Sequence, residues 1–377
     1  MTSYLASRTG VGVCVGGLVH ALLEETQGRE DWHFRLCALS LHRHVVSELR
    51  DSFSFPGTEV RHVPIPVRVA VPLADRFPAL RMESLFGDAH VFHAGSLWVP
   101  ASRRAAVVVT LLDLTPIRFP QYHLASNRFT LEQLKRRLSR SNAVIVPSKS
   151  TAGDLRSYSL VAEEKVRVIP LGLNPVFRPI KGRRDLLRGH GLDGEFILTV
   201  GSIEPRKNLA RLLQAFSLLK KRHHIPHKLA IAGPQGWMQE DVPRIISELK
   251  LDNEVVFTGF VPDEILNALY NEAALLVYPS IYEGFGLPPL EAMAAGCPVA
   301  VSRVSSLPEV VGEAGWYFDP LEVEEIARTV LNVLESDDSR LRLSELGRRR
   351  SAEFSWRRTA GATLAVYKEL LGLETTA

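Results

Sequence analysis

Cysteine is scarce: three in 377 residues, Cys14, Cys37 and Cys297, an odd number at no metal-like spacing. That excludes a disulfide framework and suits reduced thiols in a cytosol. No run of eighteen apolar residues occurs, which argues against a membrane-spanning helix. The N-terminus shows no basic start leading into an apolar core and a small-residue cleavage site, so no export signal is evident and a cytoplasmic protein is expected. No repeat period and no low-complexity tract is visible. No Asp-x-Asp follows a strand-like run. The stretch "SDDS" (336–339) reads as a turn joining two helices, so no divalent metal and no other cofactor is expected to be required.

What is present is the mix of a globular enzyme, 46% hydrophobic and 23% charged, long enough for two domains of similar size. Net charge is only +3 but uneven. Residues 1–170 carry 21 Lys and Arg against 15 Asp and Glu, and the remainder 24 against 27. A basic first half suits an anionic surface or a phosphorylated acceptor, and ordinary surface scatter is the plainer reading. Nothing points to nucleic acid.

Short apolar runs alternate with amphipathic stretches throughout, the pattern of α/β units on parallel sheets. In the first half 34–41, 90–94, 105–112 and 142–147 read as strands. In the second 165–171, 196–202, 227–233, 253–260, 274–280 and 298–302 do the same, with helices expected over 207–222, 263–272 and 289–295. The Pro-, Gly- and Asn-containing segment 169–185 reads as the linker, giving domains 1–172 and 173–354. At the start, the Gly-rich "RTGVG" (8–12) reads as a loop opening a helix after only about six residues, where such a loop ordinarily follows a strand. Either that strand is short or missing, or the coded start lies upstream of Met1.

The densest chemistry lies in "YPSIYEGFGLPPLEAMAAGCPVAVS". A strand ends near Ser280, the chain turns through Glu283-Gly284-Phe285-Gly286, and Pro288-Pro289 opens a helix carrying Glu291. Glycines allow close backbone approach to a ligand, and a helix start attracts phosphate. Two carboxylates eight positions apart can grip two hydroxyl-bearing parts of one ligand, such as a hexose and a ribose. The plainer alternative is that Glu283 caps the turn and Glu291 favours the helix start. Upstream, Arg206-Lys207-Asn208 follows a strand ending near Gly201 and opens a helix. Two cations there would neutralise a diphosphate and its charge in the transition state, or simply decorate a solvated helix start.

Together these segments resemble glycosyltransferase family 4, whose Glu–seven residues–Glu motif is matched by Glu283 and Glu291 and whose Arg-Lys pair is matched by Arg206 and Lys207. The similarity runs almost continuously over 165–330. It implies an α/β chain of the GT-B fold, two Rossmann-like domains facing across a cleft, with the last helix (about 355–377) returning to the first domain. By the resemblance Arg206, Lys207 and Glu283 are the catalytic set. Arg206 and Lys207 hold the donor diphosphate. Glu283 and the backbone of Gly284, Phe285 and Gly286 meet the donor sugar, Glu291 the ribose, Val261 the base, and Gly12 also approaches the donor. Gly10, His93 and Asp113 are the acceptor-side candidates. Relatives usually read His-Asp-Leu where this chain has Leu112-Asp113, so one reaction-side histidine is replaced.

The resemblance further implies a retaining transfer of a hexose from a nucleoside diphosphate sugar to a hydroxyl of a glycan or lipid-linked acceptor. Mannose from GDP-mannose, in bacterial surface polysaccharide assembly, is the first expectation. The stretch 128–140, with Arg128, Lys135, Arg136, Arg137 and Arg140, reads as a basic amphipathic helix that suits peripheral contact with the inner face of a membrane, or a solvated face. Two rival readings are a non-catalytic GT-B protein that binds the donor or a partner, and a nucleotide-sugar epimerase.

Overall fold

The computed structural model describes residues 10–374 apart from 43, 67–68, 71–72, 74–75, 78–80, 96–98, 100, 124–129, 183 and 237–240. Residues 8 and 9 of the Gly-rich segment and Arg128 therefore lie outside the described residues. The chain divides into two compact units. The first runs to Ile117, resumes at Phe129 as far as Gly172, and takes up the chain again from Ser355. The second is Leu173–Phe354 together with the segment that begins at Arg118.

In the first unit, helix α1 spans Gly10–Glu25. Gly10 and Gly12 thus lie in its first turn, which corrects their reading as loop residues. The strands are β1 (Phe34–Leu39), β2 (Thr58–Val63), β3 (Val91–Ala94), β4 (Ala106–Thr110), β5 (Ala143–Val146) and β6 (Val166–Val168). Among the described residues they form two separate parallel sheets, β1-β2 and β3-β4-β5-β6. The run 165–171, grouped by sequence with the second half, supplies β6 as the edge beside β5. Helix α2 (Leu131–Leu138) begins in a capping box between Thr130 and Gln133. Of its basic residues, Lys135 and Arg136 are exposed and Arg137 is buried; Arg140, just past the helix, donates to the Val99 carbonyl at 3.0 Å.

The C-terminal helix Trp356–Leu370 packs on α1 and on the β4-β5 face through Ala360, Leu364 and Tyr367. Its entry is sterically exact. A Cβ on Gly172 would lie 2.2 Å from the Trp356 backbone nitrogen, and one on Gly17 would lie 2.3 Å from the Trp356 ring. Backbone cannot yield as a side chain can. Gly172→Ala is therefore expected to cost about 2–3 kcal/mol, the scale of core overpacking. Calorimetry should show the first unit melting about 5–10 °C lower; an unchanged melt would mean this docking contributes little.

In the second unit the strands are β7 (Phe196–Val200), β8 (Lys228–Ala232), β9 (Val255–Gly259), β10 (Leu275–Tyr278), β11 (Val299–Ser302) and β12 (Gly315–Phe318). All pair in parallel, in the order β12-β11-β10-β7-β8-β9. Helices α3 (Leu209–His223), α4 (Asp263–Glu272) and α5 (Leu287–Ala295) connect them. One face is sealed by a core that includes Leu213, Phe216, Leu229, Val277 and Phe318. The stretch 336–339 joins two helices: Ser336 caps the second, its hydroxyl accepting from the Ser339 amide at 3.1 Å. Because β8 and β9 lie on one side of β7 while β10 to β12 run off on the other, the winding reverses between β7 and β10. Ligands of open parallel sheets bind at the carboxyl ends of such a pair.

Candidate active site

Both charged motifs sit at that reversal. Beyond β7, Gly201 (φ +145°) and Gly233 (φ +147°) approach so closely that a Cβ on Gly233 would meet the Gly201 carbonyl oxygen at 2.2 Å. The chain then makes a 3-10 turn, Pro205–Lys207, which ends in Asn208 at φ +59°, a left-handed conformation that Asn tolerates better than most residues. Buried Asn208 ties this loop to the next: its amide donates to the carbonyls of Pro279 (3.1 Å) and Pro320 (2.7 Å).

Beyond β10, the loop 279–286 carries Glu283 into contact with both cations. Lys207 Nζ lies 2.6 Å from Glu283 Oε1, and Arg206 Nη1 lies 2.7 Å from Glu283 Oε2. Arg206 also donates to the Tyr282 carbonyl (2.8 Å) and to Glu204 Oε1 (2.6 Å). Tyr278 completes the cage: its hydroxyl donates to Glu283 Oε1 (2.9 Å), accepts from Lys207 Nζ (2.6 Å), and its ring lies 4.8 Å below that ammonium. Glu204 and Glu283 are only 7% and 8% exposed. Burial pushes the Glu283 carboxyl up, but the charges of Arg206 and Lys207 outweigh it and hold the group at about 2. Burial lowers Lys207, an effect that Glu283 opposes. Two cations facing two carboxylates leave the cluster neutral as it stands.

The loop itself is fixed from beneath. The Glu283 amide donates to Ser305 Oγ (2.9 Å), while Ser306 Oγ donates to the carbonyls of Glu283 (2.9 Å) and Phe285 (2.7 Å). Gly284, Phe285 and Gly286 are buried, and Gly286 (φ +110°) leads into α5 with Pro in its first turn. On α5, Glu291 Oε2 accepts from the Tyr270 hydroxyl of α4 at 2.9 Å. Desolvation pushes this carboxyl up to about 7, partly offset by that hydrogen bond. Val261 is buried just past β9, at the carboxyl edge of the same sheet. Arg118 and Phe119 pack on Tyr282, with the guanidinium 5.2 Å and the ring 5.6 Å from its ring centre.

The remaining sequence candidates belong to the first unit. His93, on β3, is bonded at both ring nitrogens, to the Tyr367 hydroxyl (2.5 Å) and to Thr110 Oγ1 (2.7 Å). Burial lowers it to about 4, so the imidazole is neutral at physiological pH. Asp113 Oδ1 accepts from the Thr115 amide (2.9 Å) and hydroxyl (2.5 Å), just before the short helix Thr115–Arg118. Sequence reading passed over Glu204, Tyr270, Tyr278, Ser305 and Ser306. Only Glu204, two positions before Arg206, carried a local signal.

Comparison with known proteins gives the same picture. Residues 187–350 match the family "Glycosyl transferases group 1", and residues 16–177 match "Glycosyltransferase Family 4". The chain is 31% identical to the O-antigen chain mannosyltransferase B of Escherichia coli over 74% of each protein. It is 32% identical to the serotype-specific mannosyltransferase WbdA of E. coli over 69% of this chain, which spans 33% of that longer protein. Among solved structures, sucrose-phosphate synthase from Thermosynechococcus elongatus superposes with a TM-score of 0.76 at 23% identity, covering 96% of this chain and 94% of that one. Anabaena HepE in complex with UDP and glucose superposes at 0.71 and 17%, covering 97% of both. The chain therefore belongs to the group 1 glycosyltransferases of glycosyltransferase family 4 and has their GT-B fold.

Proposed function

We propose that the protein transfers a hexose, with mannose from GDP-mannose the first choice, to a hydroxyl of a glycan or lipid-linked acceptor in surface polysaccharide assembly, with retention at the anomeric carbon. The observation that carries this reading is the cage of Arg206, Lys207 and Glu283 at the β7/β10 reversal. The preference for mannose is supported by two E. coli relatives and by the MMP alpha-(1->4)-mannosyltransferase of Mycolicibacterium hassiacum, 32% identical over 69% of this chain.

In this mechanism the donor diphosphate takes Glu283's place as counterion of Arg206 and Lys207. The released carboxylate accepts hydrogen bonds from hydroxyl groups of the donor sugar. The bond from the anomeric carbon to the phosphate oxygen breaks, and the two cations hold the charge growing on that oxygen. The same oxygen takes the acceptor hydroxyl's proton as the new bond forms on the same face. Glu291, buttressed by Tyr270, is the ribose ligand. Peripheral membrane contact falls to Lys135 and Arg136, the exposed cations of α2.

A ligand that favours the folded state raises the melting temperature by mass action, about 2.7 kcal/mol at a hundredfold excess over Kd. Across GDP, UDP, dTDP and their sugars, one base is expected to stabilise the protein and to lose its effect in Glu291→Ala. Stabilisation without any sugar transfer would favour the donor-binding, non-catalytic alternative. No response to any of them removes the donor site. With two protein cations on the diphosphate, transfer is expected to persist in EDTA; loss restored by magnesium would overturn the metal-independent route.

A further inference from the structure

The loop 279–286 grips Arg206 from two directions. The Ile281 amide donates to the Arg206 carbonyl at 3.0 Å, while the Tyr282 carbonyl accepts from Arg206 Nη1 at 2.8 Å. Glu283 follows directly and meets the same guanidinium at 2.7 Å. A movement of Tyr282 therefore shifts a hydrogen-bond partner of Arg206 and the attachment point of Glu283 together. The Tyr282 side chain is 2% exposed, and part of its cover comes from far away in the sequence. Arg118 and Phe119 supply that part. They open a segment that counts with the second unit, although the chain before and after it belongs to the first. The Phe119 ring is centred 5.6 Å from that of Tyr282 at 52°. The Arg118 guanidinium lies 5.2 Å from the Tyr282 ring centre and 5.7 Å from that of Phe119. Tyr122 steadies Phe119 in turn, stacked on it at 5.8 Å and 13°, with its amide donating to the Phe119 carbonyl at 2.9 Å. Ring pairs and a cation over a ring at such separations attract one another and prefer particular geometries. Tyr282 is thus held in one orientation as well as covered.

We propose that Arg118 and Phe119 are positioning residues for transfer. Through the Tyr282 ring they keep the Tyr282 carbonyl on Arg206 and the Glu283 carboxylate against the cations. The inference rests on the function proposed above, which makes Arg206 and Glu283 part of the reaction. Electrostatic catalysis needs its donors preset where charge develops. A misplacement of about 1 Å at a reacting centre can cost about 100-fold in rate. The competing account is an ordinary surface contact, since Arg118 is exposed and Phe119 half-buried. In that account truncation lowers stability and leaves the site unchanged.

Hydrogen exchange and transfer kinetics on the full chain decide between them, using Phe119→Leu, Phe119→Tyr and Arg118→Ala. Phe216→Leu, in the core of the second unit, serves as the control for lost stability alone. In Phe119→Leu the Ile281 and Glu283 amides are expected to exchange about tenfold faster, because the ring pair no longer resists opening of the loop. Its kcat is expected to fall about 30-fold. Its donor KM should change by less than about threefold, since Tyr278 still holds Lys207 for the diphosphate. Phe119→Tyr keeps the ring and should restore both exchange and kcat to within about threefold of the parent. Arg118→Ala should move both in the same direction by about threefold, and no movement in it overturns the role of Arg118. Phe216→Leu should lower the melting temperature and change neither. Unchanged exchange at Ile281 and Glu283 in Phe119→Leu overturns the proposal whatever the transfer rate. So does an unchanged kcat beside faster exchange, or a loss of transfer that Phe216→Leu reproduces. Faster loop exchange in Phe119→Leu when the parent itself transfers no hexose overturns the proposed function instead, and leaves the hold on the loop standing.

Discussion

Lys207→Ala is expected to lower kcat by about 10³-fold, the loss typical when one preorganised donor to a developing oxyanion is removed. The ammonium is half-buried beside Glu283 and Tyr278, where a charge acts partly through protein rather than bulk water. Arg206 is already held by Glu204 and the Tyr282 carbonyl. The fold should survive, since Glu283 keeps Arg206 and Tyr278 as partners. Single-turnover rates with saturating donor separate the chemical step from binding. Near-normal turnover would remove Lys207 from the reaction and leave it a structural counterion.

Glu283→Gln should act in opposite directions on binding and on turnover. In the empty site the carboxylate neutralises the two cations that the diphosphate needs, so the donor competes with it. Replacing it by a neutral amide of the same shape removes the competitor, and nucleoside diphosphate affinity is expected to rise about tenfold, roughly 1.4 kcal/mol. The same change removes the anion proposed to hold the donor sugar, and transfer is expected to fall by about 10²-fold or more. The empty variant should also melt earlier, because buried cations left without their partner are costly. Calorimetric titration with the diphosphate alone, beside transfer rates, decides the matter. Diphosphate affinity that weakens along with the rate would show that Glu283 helps to bind the phosphates instead of competing for their cations.

Legibility followed physical causes. Strands β7, β8, β10 and β11 were readable because a parallel strand buried on both faces is a near-continuous apolar run. β2, "TEVRHV", alternates polar with apolar residues, and β12, "GWYF", opens on Gly and is buried only at Phe318, so neither stood out. Gly10 and Gly12 suggested a loop because Gly is a poor helix former. Packing of α1 on the C-terminal helix overrides that preference. Asp113 stood in a family-like context, and in the structure its carboxylate accepts from the Thr115 amide and hydroxyl.

The sequence by itself determined the class of the molecule: α/β units, a family signature, and two cations and two carboxylates at the ends of strands. These are local properties, set by apolar periodicity and by residue types within a few positions of one another. Only the tertiary structure decided that Lys207 and Glu283, 76 positions apart, form one part-buried ion pair. That contact depends on β7 lying beside β10, a strand order that no local pattern encodes. Glu204, Tyr278 and Tyr270 became part of the site in the same way. Their charges and hydroxyls matter because the fold removes them from water and leaves them one another as partners.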